Sequence, residues 1–273
     1  MLTSRDNPRV KTVKALQRRE KRDRTGLYLV EGVKLVGEAL KWAPNFVEEV
    51  FWAPEILAGN EAGLALVEEL KTRGISVTAV SAALMREMAA TVTPQGILAV
   101  MRRGEEERVT EVLSRGGNEP FVLVVDRVQD PGNLGTLLRT AEAAGVGAVL
   151  LVKGTVDLYN PKVLRAAAGA VFRLPVQDGL EAVDVLALAE RYHLPLLVAD
   201  PHGEETVYDP FPLRAMLVVG NEGRGVDHCF TACARRLAIP LAEGAESLNV
   251  AIAAAVFLFE RVRRLREGER AKS

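Results

Sequence analysis

Three short stretches of this 273-residue sequence carry residue types suited to holding a polar or anionic ligand. The first runs Asp126-Arg127-Val128-Gln129-Asp130-Pro131-Gly132-Asn133-Leu134-Gly135 and continues into a helical pattern bearing Arg139. Pro131-Gly132 has the composition of a turn, and Asn133 that of a helix N-cap. Gly135 and Arg139 fall one helical turn apart on one flank, so a substrate group has room beside the guanidinium. The second stretch, Gly220-Asn221-Glu222-Gly223-Arg224-Gly225, puts three glycines in six residues, which lets backbone amides and carbonyls come close to a ligand. The third runs from Ile239-Pro240-Leu241 to Glu246-Ser247-Leu248-Asn249-Val250 and opens a helix that is apolar all round, with Ser247 as its expected cap. Burying that helix N-terminus behind the glycines sets free amides and Asn249 beside whatever the glycines bind.

Charge points to the class of partner. Residues 1–25 hold nine basic side chains, among them Arg5, Arg9, Lys11, Lys14, Arg18 and Arg19, against three acidic ones. The tail from Arg261 repeats the excess with six against two, although the whole chain has a net charge of only −1. Two basic runs in a near-neutral protein predict a polyanion, and among polyanions nucleic acid fits best.

The elements that must position these residues follow from periodicity. In the first hundred residues short apolar strands (Leu27 to Val30, Val47 to Trp52, Ile75 to Val80, Gly96 to Met101) alternate with amphipathic helices. Residues 103–119 are charged and contain glycine, and read as a linker between a domain at 1–102 and a second at 120–273. The second domain opens on Phe121 to Val125, a continuous apolar run typical of a strand buried on both faces of a parallel sheet. A helix over Leu134 to Ala144 and a strand over Val146 to Val152 complete a βαβ unit, and Ala170 to Val176, Leu194 to Ala199 and Ala215 to Val219 predict further strands. In such sheets ligands sit at the carboxyl ends of strands, which is where the first two stretches fall.

In this order the three stretches resemble the motifs of the SpoU branch of the SPOUT superfamily, the TrmH-like RNA 2′-O-ribose methyltransferases. The likeness rests on Asn133-Leu134-Gly135 with Arg139, on Gly220-Asn221-Glu222-Gly223 with Gly225, and on Ser247-Leu248-Asn249-Val250. Asn160-Pro161-Lys162 with Arg165 and Gly169 is similar to the family's middle segment, with Ala166 where many relatives carry serine. Tyr28 to Val36 is similar to its L30e-like substrate-binding domain. The resemblance implies an α/β fold, with a trefoil knot in a C-terminal parallel-sheet domain, a smaller N-terminal α/β domain, and a homodimer. It also implies S-adenosyl-L-methionine as cofactor, with Gly220, Gly225, Ile239 and Leu248 around the adenosine and Asn249 near the methyl. Arg139 would act at the ribose hydroxyl, held with the ribose by Asn133 and Glu222. RNA would meet the basic residues named above and Arg165, and ribosomal RNA is favoured over transfer RNA.

Several classes are disfavoured. The three glycines fall at offsets 0, 3 and 5, whereas the dinucleotide fingerprint needs 0, 2 and 5, so a nucleotide-dependent oxidoreductase is a poor reading. A passive RNA-binding protein of the same fold is the nearer rival, and the presence of Arg139 and Asn249 argues against it. Cys229 and Cys233, with His228 alone nearby, are too few for a disulfide framework or a metal site. No apolar run is long enough for a membrane span and no signal-peptide pattern opens the chain, which predicts a cytoplasmic protein.

Overall fold

A computed structural model describes residues 1–104, 107–117, 120–221 and 223–270. Two compact units emerge, one from the described residues of 1–105 and 159–173, the other from those of 106–158 and 174–273.

The first unit runs α1 (Pro8–Ala15), α2 (Arg19–Thr25), β1 (Leu27–Glu31), α3 (Val33–Trp42), β2 (Val47–Trp52), α4 (Pro54–Leu57), α5 (Glu61–Thr72), β3 (Val77–Ala79), α6 (Ala82–Met88) and β4 (Ile97–Arg102). Its sheet has the order β1-β4-β2-β3, with β4 antiparallel to both neighbours. Both faces are covered, so the strands are apolar throughout while still alternating between two cores. Tyr28, Val30, Ile97, Ala99 and Met101 join α3 and α5 in one core; Leu29, Phe51, Leu98 and Val100 join α1 and α6 in the other.

The basic N-terminal run is part of this fold rather than a free arm. Val10, Val13 and Leu16 of α1 are buried in the second of those cores, and Asn7 caps the helix by accepting from the Arg9 amide. Arg22 is itself buried and donates to the carbonyls of Leu16 and Gln17, closing the end of α1. Arg5 and Lys14 pair with Glu87, Arg9 with Glu49, Lys11 with Asp6, and Arg19 with Asp23.

The second unit is built from α7 (Glu107–Leu113), β5 (Phe121–Val125), α8 (Pro131–Ala143) and β6 (Ala148–Val152). After α9 (Pro161–Ala167) and α10 (Ala170–Arg173), which belong to the first unit, it resumes with β7 (Val176–Leu180), α11 (Ala182–Arg191), β8 (Leu196–Ala199), β9 (Glu205–Thr206), β10 (Ala215–Val219), α12 (His228–Thr231), β11 (Arg235–Ala238) and α13 (Val250–Arg270). Among the described residues its seven strands pair in parallel in the order β7-β6-β5-β10-β8-β11-β9. Every residue of β5, β6 and β10 is buried, as an α/β sheet with helices on both faces requires.

Two sequence expectations are corrected and a third is narrowed. The stretch expected to be a linker contains α7, whose Val109, Val112 and Leu113 are buried in the second unit's core. Those three positions have helical spacing, which the surrounding charge masks. The strand expected over 170–176 is one helical turn, α10, followed by β7: Ala168 and Gly169 both take positive φ, and Phe172 is thrown into the first unit's core. In the basic C-terminal tail Arg261, Arg263 and Arg264 are taken up by contacts within the chain, Arg266 is exposed, and Lys272 lies outside the described residues. Arg261 is buried, stacks on Phe121 and donates to the Leu213 carbonyl, while Arg263 and Arg264 hold the Glu260 carboxyl down at about 2.

Candidate active site

At the carboxyl ends of β8, β10 and β11 the second unit encloses a cavity of about 550 Å³, within the usual range for small-molecule sites. Gly220, Gly225, Ile239, Leu248 and Asn249 all line it, although they come from three separate segments. Leu237, Val250 and Phe257 add apolar wall, and Asp200, His202 and Arg224 add polar edge.

The glycine loop is shaped by its own backbone. A Cβ on Gly220 would lie within 2.5 Å of the Gly225 carbonyl oxygen and the Val226 nitrogen, so no side chain fits. Asn221 and Gly225 exchange backbone bonds of 3.1 and 2.8 Å, and Gly225 takes a φ of +67°. The composition of the loop predicts glycines that make room for a ligand; at Gly220 the close approach is instead between the two ends of the loop, which then forms the cavity wall.

A polar network fastens this loop to the segment that starts α8. The Asn221 side chain donates from Nδ2 to the Arg127 carbonyl (3.0 Å), and its Oδ1 accepts from the amides of Gly223 (2.9 Å) and Arg224 (3.1 Å). Arg127, in the left-handed region at φ +57°, donates from Nε and Nη2 to the fully buried Asp126 at 2.8 and 3.0 Å, and reaches Asp227 at 3.1 Å. Asp126 also accepts from the Asp227 amide at 2.7 Å. The Asp227 carboxyl is held below its usual range, chiefly by hydrogen bonds from Cys229 and further by Arg127. Burial, followed by Asp227, pushes the Cys229 thiol up to about 11, which keeps it protonated and unsuited to nucleophilic work. At the cavity edge burial works against ionisation of Asp200, but the His202 amide and Arg236 outweigh it and hold the carboxyl below its usual range.

Two helix N-termini meet on the other side. Asp130, rather than Asn133, caps α8: its Oδ1 accepts from the Asn133 amide at 2.8 Å, with Pro131 at the first helical position. Asn133 is thereby carried into the first turn, where its Oδ1 accepts from Asn249 Nδ2 at 2.9 Å. Asn249, rather than Ser247, caps α13 by accepting from the Ala251 amide at 2.9 Å. Arg139 stands further along α8, exposed, with no hydrogen bond or ion pair to the described residues; it does not line the cavity. Glu222 lies outside the described residues. Arg165 is exposed on α9 and belongs to the first unit, as do Arg5, Arg9, Lys11, Lys14, Arg18 and Arg19. Asp227 and Asp200 lie outside the three stretches, and Asp126 and Arg127, although they open the first, receive no role from the sequence patterns. The available signal was an Asp-Arg pair directly after a five-residue apolar strand, where a buried carboxylate needs a cation beside it.

Residues 120–259 match the SpoU rRNA Methylase family, and residues 7–99 match an MRM3-like substrate binding domain. The chain is 38% identical over 267 residues to the 23S rRNA (guanosine(2553)-2'-O)-methyltransferase RlmP of Bacillus subtilis, covering 94% of this chain and 97% of that protein. It is 30% identical to the 23S rRNA (guanosine-2'-O-)-methyltransferase RlmB of Escherichia coli, over 86% of this chain and 98% of the relative. Among solved structures, the AdoMet-bound rRNA methyltransferase of Sinorhizobium meliloti superposes with a TM-score of 0.82 at 29% identity, covering 97% of both chains. The AviRb SpoU methyltransferase of Streptomyces viridochromogenes, in complex with AdoMet, gives 0.83 at 26% identity over 96% of this chain and 100% of that one. With a family match over half its length on a parallel sheet that carries the three motifs at one end, this chain belongs to the SpoU rRNA methylase family.

Proposed function

We propose that this protein transfers a methyl group from S-adenosyl-L-methionine to a ribose 2′-hydroxyl of ribosomal RNA. The observation that carries the reading is the cavity of about 550 Å³ whose wall gathers all five residues expected around the cofactor, joined to α8 by the Asn249–Asn133 bond. The lining suits the ligand. Apolar Leu237, Ile239 and Leu248 offer a surface for an adenine ring, and Asp200, ionised at neutral pH, is complementary to a cationic amino-acid sulfonium. When bound, the cofactor supplies an electrophilic methyl on sulfur.

The chain's own groups then have to present the hydroxyl and accommodate its charge. Arg139 is the cation proposed for this role. A guanidinium stays protonated, so it serves as a planar donor to the flanking phosphate and the developing alkoxide rather than as a base. Asn133, locked to Asn249, fixes the start of α8 and with it the direction in which Arg139 is presented. Glu222 belongs to the same reading as a partner of Arg139 or the ribose.

A homodimer with a knotted C-terminal segment completes the proposal. The dimer is supported by a stripe on α13 in which Ile252 and Phe259 are 53% and 48% exposed, seven residues apart with Ala255 and Val256 between them. Among the described residues no helix is long and apolar enough to cross a membrane, and with ribosomal RNA as substrate we place the reaction in the cytoplasm. Calorimetric titration with S-adenosyl-L-methionine tests the cofactor assignment: micromolar or tighter one-to-one binding per chain supports it, and no heat at millimolar ligand contradicts it.

Two further results are expected from the geometry. Asn221→Asp keeps the acceptors that close the glycine loop but loses the donor to Arg127, so cofactor affinity should stay within a fewfold while turnover falls. Asn221→Ala loses both, and cofactor affinity should drop about tenfold or more. Equal cofactor affinity in the two variants would show that the side chain does not organise the loop.

The second result concerns RNA. Among the described residues Arg18, Lys21 and Arg24 have no acidic partner, so they are the cations of the N-terminal helices best placed to take phosphates. Changing all three to Gln should lower the salt dependence of RNA binding by about two units of log–log slope, at about 0.7 per phosphate contact, with an unchanged melting curve. Truncation of residues 1–25 is a different experiment, because it strips Val10, Val13 and Leu16 from the core.

A further inference from the structure

The first unit concentrates cations over aromatic rings at one end of its sheet, where β1 and β2 begin and β4 ends. Lys41 Nζ lies 5.1 Å and Arg173 Cζ 5.8 Å from the centre of the Trp42 ring, and Arg102 Cζ lies 5.9 Å from that of Phe46. Trp42 closes α3 and is 50% exposed, whereas Leu35, Val36, Ala39 and Leu40 form that helix's buried face. Its ring is therefore not needed to fill the core. The half of that ring left in water adds nothing to core burial, and two cations on one ring repel each other. Glu38 holds Arg173 and Glu48 holds Arg102, so both guanidinium groups are already ordered, while Lys41 has no carboxylate partner among the described residues.

An exposed aromatic ring with two cations over it, one of them a lysine that no carboxylate among the described residues holds and that can swing off the face, matches one chemistry closely. An unpaired nucleobase stacks on the ring, and the phosphates on either side of it meet the positive charges. A protein partner, including a second copy of this chain, would have to bring carboxylates to the same spot. We propose that Trp42 is a stacking platform for an unpaired base of the RNA substrate, with Lys41 and Arg173 taking the adjacent phosphates. The proposal rests on the RNA substrate argued above and assigns it a specific foothold on the substrate-binding unit.

The chain has two tryptophans, Trp42 and Trp52, which makes a local test available. In Trp52→Phe, Trp42 is the sole indole, and titration with a 23S ribosomal RNA transcript should quench most of its emission, reversibly with salt. In Trp42→Phe the remaining Trp52 should be unaffected by the same RNA. Trp42→Ala should weaken RNA binding about tenfold or more, Trp42→Tyr should recover most of the loss, and S-adenosyl-L-methionine affinity should not move in either. Retention of RNA by the Trp52→Phe protein without quenching, or equal RNA affinity for wild type and Trp42→Ala, overturns the platform and leaves the proposed reaction standing. Quenching that follows protein concentration without RNA assigns the ring to self-association and likewise overturns it. Failure of unaltered protein to retain the transcript would overturn the substrate reading itself, and the platform with it.

Discussion

Arg139→Ala is expected to lose methyl transfer by roughly a hundred- to thousandfold in single turnover, about 2.7 to 4 kcal/mol, while S-adenosyl-L-methionine binds as in the wild type. The separation follows from position. Arg139 lies on α8 outside the cavity, whose walls come from the loops after β8, β10 and β11 and from α13, so truncating it removes nothing from the proposed cofactor site. Being exposed and without a partner among the described residues, it can also be removed at little cost to folding. Arg139→Lys refines the result: a lysine keeps the charge but lacks the planar fork, so poor rescue marks a two-point contact with phosphate and ribose, and good rescue marks charge alone. If Arg139→Ala keeps more than about a tenth of wild-type turnover, less than about 1.4 kcal/mol of transition-state stabilisation has been lost, and the catalytic assignment fails.

Gly220→Ala should have a comparable effect on the other half of the site. One added methyl would sit within 2.5 Å of the Gly225 carbonyl oxygen and the Val226 nitrogen, and these are backbone atoms that cannot swing aside. The loop must open, breaking the pair of Asn221–Gly225 bonds, and cofactor affinity should fall by about a hundredfold or more. Gly225→Ala is the control. A Cβ there meets nothing within 4 Å, so its cost is that of a left-handed backbone alone, about 1 kcal/mol, and affinity should drop by no more than about tenfold. Wild-type affinity in Gly220→Ala, measured by calorimetry on protein with a native circular dichroism spectrum, would contradict this account of the loop.

Sequence patterns disclosed some features fully and others only in outline. The runs Phe121 to Val125 and Ala215 to Val219 announce doubly buried strands because water is excluded from both faces, and the structure buries every residue of each. The convergence of Gly220, Ile239 and Leu248 on one cavity followed from the resemblance, since no periodicity relates residues so far apart. Capping was ambiguous: Asp130 and Asn133 are both cap formers three residues apart, and the deciding signal, Pro131 at the first helical position, has the composition of a turn as well. The same competition between local patterns separates Ser247 from Asn249 at α13. Charge dominates the composition of the N-terminal basic run and masks the helical spacing of Val10, Val13 and Leu16, which are enough to fasten it to the core. The Asp126–Arg127–Asp227 network was invisible because it depends on a contact between residues a hundred positions apart, which only the parallel pairing of β5 with β10 brings about.

Alkaline hydrolysis decides whether the methyl ends on a ribose oxygen. The protein would be incubated with methyl-tritiated S-adenosyl-L-methionine and unmodified 23S ribosomal RNA, and the RNA then digested with alkali, which cleaves the backbone only where a free 2′-hydroxyl can attack. A 2′-O-methylated position resists, so tritium is expected in alkali-stable dinucleotides, and is expected to be absent when Arg139→Ala replaces the wild type. Tritium in mononucleotides, which would put the methyl on a base, or no incorporation although RNA and cofactor both bind, would contradict it.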